Sequence, residues 1–188
     1  EIPSEGGPLA EFKGAVPPAP EWFRKAVATP YETDSVEVQG AKVTYQRWGK
    51  RGAPGLLLVH GNGAHAHWWD FIAPYFAEEY NVAAITFAGM GDSDYRDSYN
   101  MATFAEEEVA VAEAAGLFDG PTKPIIVAHS FGGFVTIVTG ADLGFVITHH
   151  LTRIVLVIVG APLNDASGSA TGCARILSAG GGGVRETC

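Results

Sequence analysis

The sequence predicts an α/β domain: a mostly parallel sheet between helical layers, entered through an antiparallel hairpin. Three observations predict it. Short, continuous apolar runs recur at residues 55–60, 81–87, 125–129 and 153–159, as in strands covered on both faces. Helix-length segments separate these runs, which argues for crossovers between parallel strands. Two alternating runs around a glycine come before them, as in a hairpin.

The elements follow in order. Residues 1–30 carry Pro3, Pro8, Pro17, Pro18 and Pro20 and read as an extended surface arm. A short helix is expected to start after Pro20, with Trp22 and Phe23 pinning the arm to the body. Residues 35–39 and 41–48 alternate around Gly40 and form the hairpin. After the strand at 55–60, a helix is expected over 68–79. The next strand covers 81–87. An Ala- and Glu-rich helix over 101–116 is ended by Gly116. The strand at 125–129 leads into a helix over 131–143, and 153–159 is the last strand. Residues 31–163 therefore form the domain. Residues 164–188 are rich in Gly, Ala and Ser, including Gly180 to Gly183, and read as a disordered tail.

Composition limits the function classes. The chain has 188 residues, 47% hydrophobic and 18% charged, with a net charge of −9. Phosphate contacts need clustered Lys and Arg, and no basic stripe is present, so no nucleic-acid partner is expected. No apolar run approaches the ~18 residues that span a bilayer, so no membrane partner is expected and the chain reads as cytoplasmic. Cys173 and Cys188 cannot build a disulfide framework. The chain starts at Glu1 with neither Met nor a signal pattern, as a processed chain or fragment would.

The chemistry concentrates at strand ends, where α/β sheets place their sites. Ala128-His129-Ser130-Phe131-Gly132 joins a strand to a helix. A tight strand-to-helix turn needs small residues two before and two after the serine, here Ala128 and Gly132. It exposes the serine Oγ and aims the next amide, that of Phe131, at a developing oxyanion. The bland alternative is a serine that caps the helix. His60-Gly61-Asn62-Gly63 follows another buried strand, and Asn62 or Gly63 can supply the second oxyanion donor. Trp68 and Trp69 come next, either as walls of a substrate pocket or as core.

Competing site readings are weaker. Gly61-x-Gly63-x-x-Ala66 matches a dinucleotide fingerprint, but Thr86 and Phe87 stand where the ribose-binding acid belongs, and bulky residues crowd the turn. His65 and His67 lack a third ligand at motif spacing. No cofactor or metal is expected. Asp92, Asp94 and Asp97 lie in a polar turn, and His149-His150 mark a helix-to-strand corner.

Taken with Gly89-Met90-Gly91-Asp92-Ser93, the loops around Asn62 and Ser130 resemble those of the α/β-hydrolase superfamily. The resemblance covers about residues 31–162. It implies a three-layer αβα sandwich of the α/β-hydrolase fold, here truncated to its N-terminal part. Ser130 at the nucleophile position implies an esterase, lipase, C–C hydrolase or cofactor-free perhydrolase branch, since dehalogenase and epoxide hydrolase branches carry Asp there. It implies attack by Ser130 on a small ester-like substrate, with the Phe131 and Asn62 amides holding the oxyanion.

The family order of Ser, acid and His is incomplete here. No histidine follows His150, and Asp165 is the candidate acid. The cap and final strands are also absent, which would leave a sheet edge open to self-association. Two readings result: an N-terminal part of a serine hydrolase, or a non-catalytic binding protein on a truncated hydrolase fold.

Overall fold

A computed structural model of the chain describes residues 13–15, 18–142, 153–155, 174–176 and 185–187. Helix α1 (Glu21–Val27) begins after Pro20. Its Phe23 stacks on Phe71 at 6.1 Å, and the carbonyl of Trp22 accepts from the Tyr75 hydroxyl at 2.9 Å. The Trp22 ring itself is half exposed, so Phe23 and a backbone carbonyl hold this segment to the body.

Strands β1 (Glu32–Val38) and β2 (Ala41–Trp48) pair antiparallel, with Val38 opposite Ala41. The turn residues Gln39 and Gly40 have φ of 48° and 77°. Two positive φ values in a two-residue loop match the right-handed strand twist, and glycine takes the second at no steric cost. The remaining strands of the main sheet are β3 (Gly55–Val59), β4 (Asn81–Thr86), β5 (Ile125–Ala128) and β6 (Arg153–Val155). The order is β1-β2-β4-β3-β5-β6. β2 meets β4 antiparallel, and the other pairings from β4 to β6 are parallel. Every residue of β3 and β4 is buried, which explains their unbroken apolar runs.

Helix α3 (Met101–Ala114) is capped by Asn100, whose side chain accepts from the Thr103 amide, and helix α4 (Phe131–Asp142) follows β5 directly. Both lie on the face with Leu57, Val59, Ile85, Phe87 and Ile126. The opposite face packs Trp48, Leu56, Leu58 and Val82 against Trp69 and Ala73.

The helix expected over 68–79 is not continuous. A 3₁₀ turn covers Ala66–Trp69, and only Ala73–Phe76 form α2. Pro74 accounts for the break, because it has no amide to donate and disfavours helix in the preceding residue. Within the segment read as a tail, β7 (Ala174–Ile176) and β8 (Arg185–Thr187) pair antiparallel. The expected strand at 153–159 is described only over Arg153–Val155. Asp165, His149, His150 and both cysteines lie outside the described residues.

Candidate active site

Register brings the two glycine loops together. Val59 pairs with Ala128 at the carboxyl ends of β3 and β5. The His129 amide continues the ladder, donating to the Val59 carbonyl at 2.9 Å. His60-Gly61 and His129-Ser130 therefore leave the sheet side by side. A Cβ on Gly61 would lie 2.7 Å from His129 Nδ1 and 3.2 Å from the Ser130 Cβ. One on Gly132 would lie 2.5 Å from the His60 carbonyl oxygen. Glycine at both positions is what permits the contact.

Ser130 has φ 51°, the left-handed region that costs a non-glycine residue ~1–2 kcal/mol. A capping serine has extended backbone instead, and its side chain accepts from an amide of the first helical turn. Here the Gly132 and Gly133 amides donate to the carbonyls of His129 and Ser130. The Ser130 geometry is that of a tight strand-to-helix corner, not of a cap.

The amides near that corner are available. Among the described residues, no acceptor takes the Asn62, Gly63 or Phe131 amide. The loop is folded by a bond from the Ala64 amide to the Gly61 carbonyl, and Gly63 has φ 70°. Phe131 is the first residue of α4, so its amide belongs to the positive end of that helix. Its ring packs edge-on to Phe104 at 5.3 Å and Phe87 at 6.0 Å, which fixes the residue from the core side.

His60 ties the first loop to β4. It is fully buried. Its Nδ1 lies 2.7 Å from the Gly61 carbonyl, and its Nε2 accepts from the Phe87 amide at 3.2 Å. One nitrogen must donate and the other accept, so the ring is neutral with its proton on Nδ1. Burial pushes its pKa down to about 4. His129 stacks on Trp68 at 5.4 Å. His67 binds Asp70 at 2.7 Å and contacts Gln46.

The two tryptophans part company. Trp68 is half exposed beside the corner, whereas Trp69 is buried in the core layer with Trp48 and Ala73. The middle loop is structural: Ser93 Oγ donates to the Thr86 carbonyl at 2.7 Å and accepts from the Thr44 amide. Asp94 accepts from the Lys42 amide. Thr86, at the end of β4, accepts from the Ala66 amide at 3.0 Å, and the Gly61 loop runs into a 3₁₀ turn rather than a long helix.

Two buried carboxyl residues near the site, Glu107 and Glu108, gave no sequence signal. Glu107 binds Arg96 and the Ala88 amide. Glu108 meets Thr136 and Thr139 of α4. Glu106-Glu107-Glu108 are three like residues in sequence, and only the contacts from the 88–96 loop and α4 distinguish them.

Comparison with known proteins decides the family: the pattern of the alpha/beta hydrolase family matches residues 56–186, more than half the chain. The chain belongs to the alpha/beta hydrolase family. Mouse epoxide hydrolase 4 is 28% identical over 105 residues, covering 53% of this chain and 28% of its own length. The esterase Rv0045c of Mycobacterium tuberculosis is 29% identical over 100 residues, covering 53% of this chain and 32% of its own. Among solved structures, a bacterial membrane phospholipase A superposes with TM-score 0.62 at 26% identity, over 76% of this chain and 44% of its own. This alpha/beta hydrolase chain spans about a third of the length of these curated relatives.

Proposed function

We propose that Ser130 is the nucleophile of a serine hydrolase acting on an ester or related carbonyl of a small molecule. The observation that carries this is its left-handed backbone at the head of α4. A strained conformation is retained only where the surroundings over-determine it, and here Gly61 and Gly132 pack against the corner. The Oγ would add to the carbonyl carbon, and the displaced electron pair would settle on the carbonyl oxygen. The amides of Phe131 and of Asn62 or Gly63 would hold that oxyanion, supported by the positive end of α4. Trp68 would line the approach to it. Esterase activity in a relative agrees with this reading, and Ser130, rather than a carboxylate, stands at the corner.

The Oγ proton has to pass to a base as attack proceeds. His60 is unsuited, because both its nitrogens are occupied and burial disfavours its cation. His67 is committed to Asp70, and His129 lies against Trp68. The base must come from other residues, and Asp165 is the sequence candidate for the acid that would orient it. Fluorophosphonate labelling of the 188-residue chain tests the nucleophile. Wild type is expected to label and Ser130→Ala not to label; labelling that survives the substitution would sink the assignment.

The engagement of these three histidines also favours a second reading, a binding protein that keeps the corner without turnover. Ser130-dependent hydrolysis of p-nitrophenyl esters by the purified chain would eliminate it.

A further inference from the structure

Glu108 has no exposure to solvent. No cation pairs with it among the described residues, although its neighbour Glu107 has Arg96. Its oxygens face α4: Oε1 lies 3.0 Å from Thr136 Oγ1, and Oε2 lies 2.7 Å from Thr139 Oγ1. Each hydroxyl is also within reach of a helix carbonyl, Thr136 of Gly132 at 2.9 Å and Thr139 of Val135 at 3.0 Å.

Two hydroxyl protons thus face four acceptors. A third proton on the carboxyl relieves that sharing. With it on Oε2, Glu108 donates to Thr139, which passes its own proton to Val135, while Thr136 remains shared between Glu108 and Gly132. The surroundings also disfavour charge. Leu57, Val109, Ala112, Phe118, Pro124 and Ile126 complete the pocket. Of the charged groups nearby, Glu107 is turned toward Arg96 and Ala88, Glu106 accepts from Gln39, and Lys123, which has an interaction of its own, precedes the pocket residue Pro124. Among the described residues, β3, β5 and α4 meet Glu108 with the apolar side chains Leu57 and Ile126 and with the two threonines.

We propose that Glu108 is a positioning residue for the corner helix, held as a neutral carboxylic acid that fastens α4 to α3 and keeps negative charge away from the helix that Ser130 leads into. A neutral acid lets Thr136 and Thr139 serve the α4 backbone. A carboxylate draws both hydroxyl protons to itself and sets a buried anion against α4, opposing the positive potential at its start. Burial raises the Glu108 pKa to about 8, against hydrogen bonds from Thr139 and Thr136 that lower it. The fastening therefore holds at neutral pH and loosens in mild alkali.

The link to reactivity rests on Ser130 being the nucleophile; the charge state and the fastening do not. Difference infrared spectroscopy on the full chain reads the charge state directly. Wild type should show a protonated-carboxyl stretch at neutral pH that disappears with a midpoint near pH 8 and is missing in Glu108→Gln. Thr139→Val, which removes a bond favouring the anion, should move that midpoint upward. Hydrogen exchange of the amides at 131–136, corrected for its intrinsic pH dependence, reads positioning: it should accelerate several-fold through the same midpoint in wild type and stay level in Glu108→Gln. Absence of a Glu108-dependent carboxyl band, or equal exchange profiles in the two proteins, overturns the proposal. Fluorophosphonate labelling should fall through that midpoint in wild type alone. No labelling at any pH, with the band and exchange as expected, would defeat the nucleophile assignment and leave the fastening standing.

Discussion

At the residue scale, the serine corner depends on atoms that are missing. Gly132 lies so close to β3 that an added Cβ would sit 2.5 Å from the His60 carbonyl oxygen and 2.7 Å from Val59 Cγ1. The first of these neighbours is backbone, so relief requires α4 to shift away from β3. Gly132→Ala is therefore expected to cost ~1–3 kcal/mol, the usual range for overpacking a filled interior. Denaturant titration would measure it, and a loss below ~0.5 kcal/mol would mean that the corner is more loosely packed than these distances imply. The small residue required there was legible in the sequence, because sterics at a strand-to-helix turn admit few alternatives. The neutral tautomer of His60 was not, since it depends on the Phe87 amide arriving from another strand.

At the element scale, local pattern located the strands well and the connections poorly. β3 and β4 are buried throughout, and such strands have a composition that few other elements share. The helix expected over 68–79 is broken because Pro74 donates no amide and disfavours helix in the preceding residue, while Trp69 turns into the core layer. The clearest non-local device is Arg96. It donates to the Val38 and Gln39 carbonyls at the hairpin turn and pairs with Glu107 on α3 at 3.0 Å. Its side chain is 8% exposed and that of Glu107 is 0% exposed. Arg96→Ala would free two carbonyls and strand a buried carboxylate whose pKa burial already raises. Removing one partner of a buried pair typically costs ~3–5 kcal/mol. A loss of that size in thermal or denaturant unfolding is expected, with Glu107→Gln recovering part of it in the double variant. Strict additivity of the two substitutions would show that they do not act as a pair.

At the scale of the whole molecule, two buried groups on either side of the corner titrate in opposite directions, and together they shape stability against pH. The His60 pKa is depressed from 6.5 to about 4, so the native state binds fewer protons than the unfolded chain in that interval. Its contribution is complete above 6.5 and is lost as pH falls toward 4. The Glu108 pKa is raised from 4.5 to about 8, so the native state binds more protons there. Its contribution is complete below 4.5 and is lost as pH rises to about 8. Glu107, also raised by burial, acts in the same direction as Glu108, its contribution declining as pH rises above 4.5. Between 4.5 and 6.5 the His60 and Glu108 slopes oppose each other; outside that interval they no longer do. Stability from urea titrations should therefore be greatest in that window and fall on both sides. The general charging of a chain with net charge −9 contributes to any single profile, so the decisive quantity is the difference between variants. Glu108→Gln should flatten the alkaline limb and leave the acid limb in place. His60→Gln, whose amide can still accept from Phe87 and donate to Gly61, should do the reverse. If both substitutions moved the two limbs equally, the pH response would belong to the overall charge rather than to these buried sites.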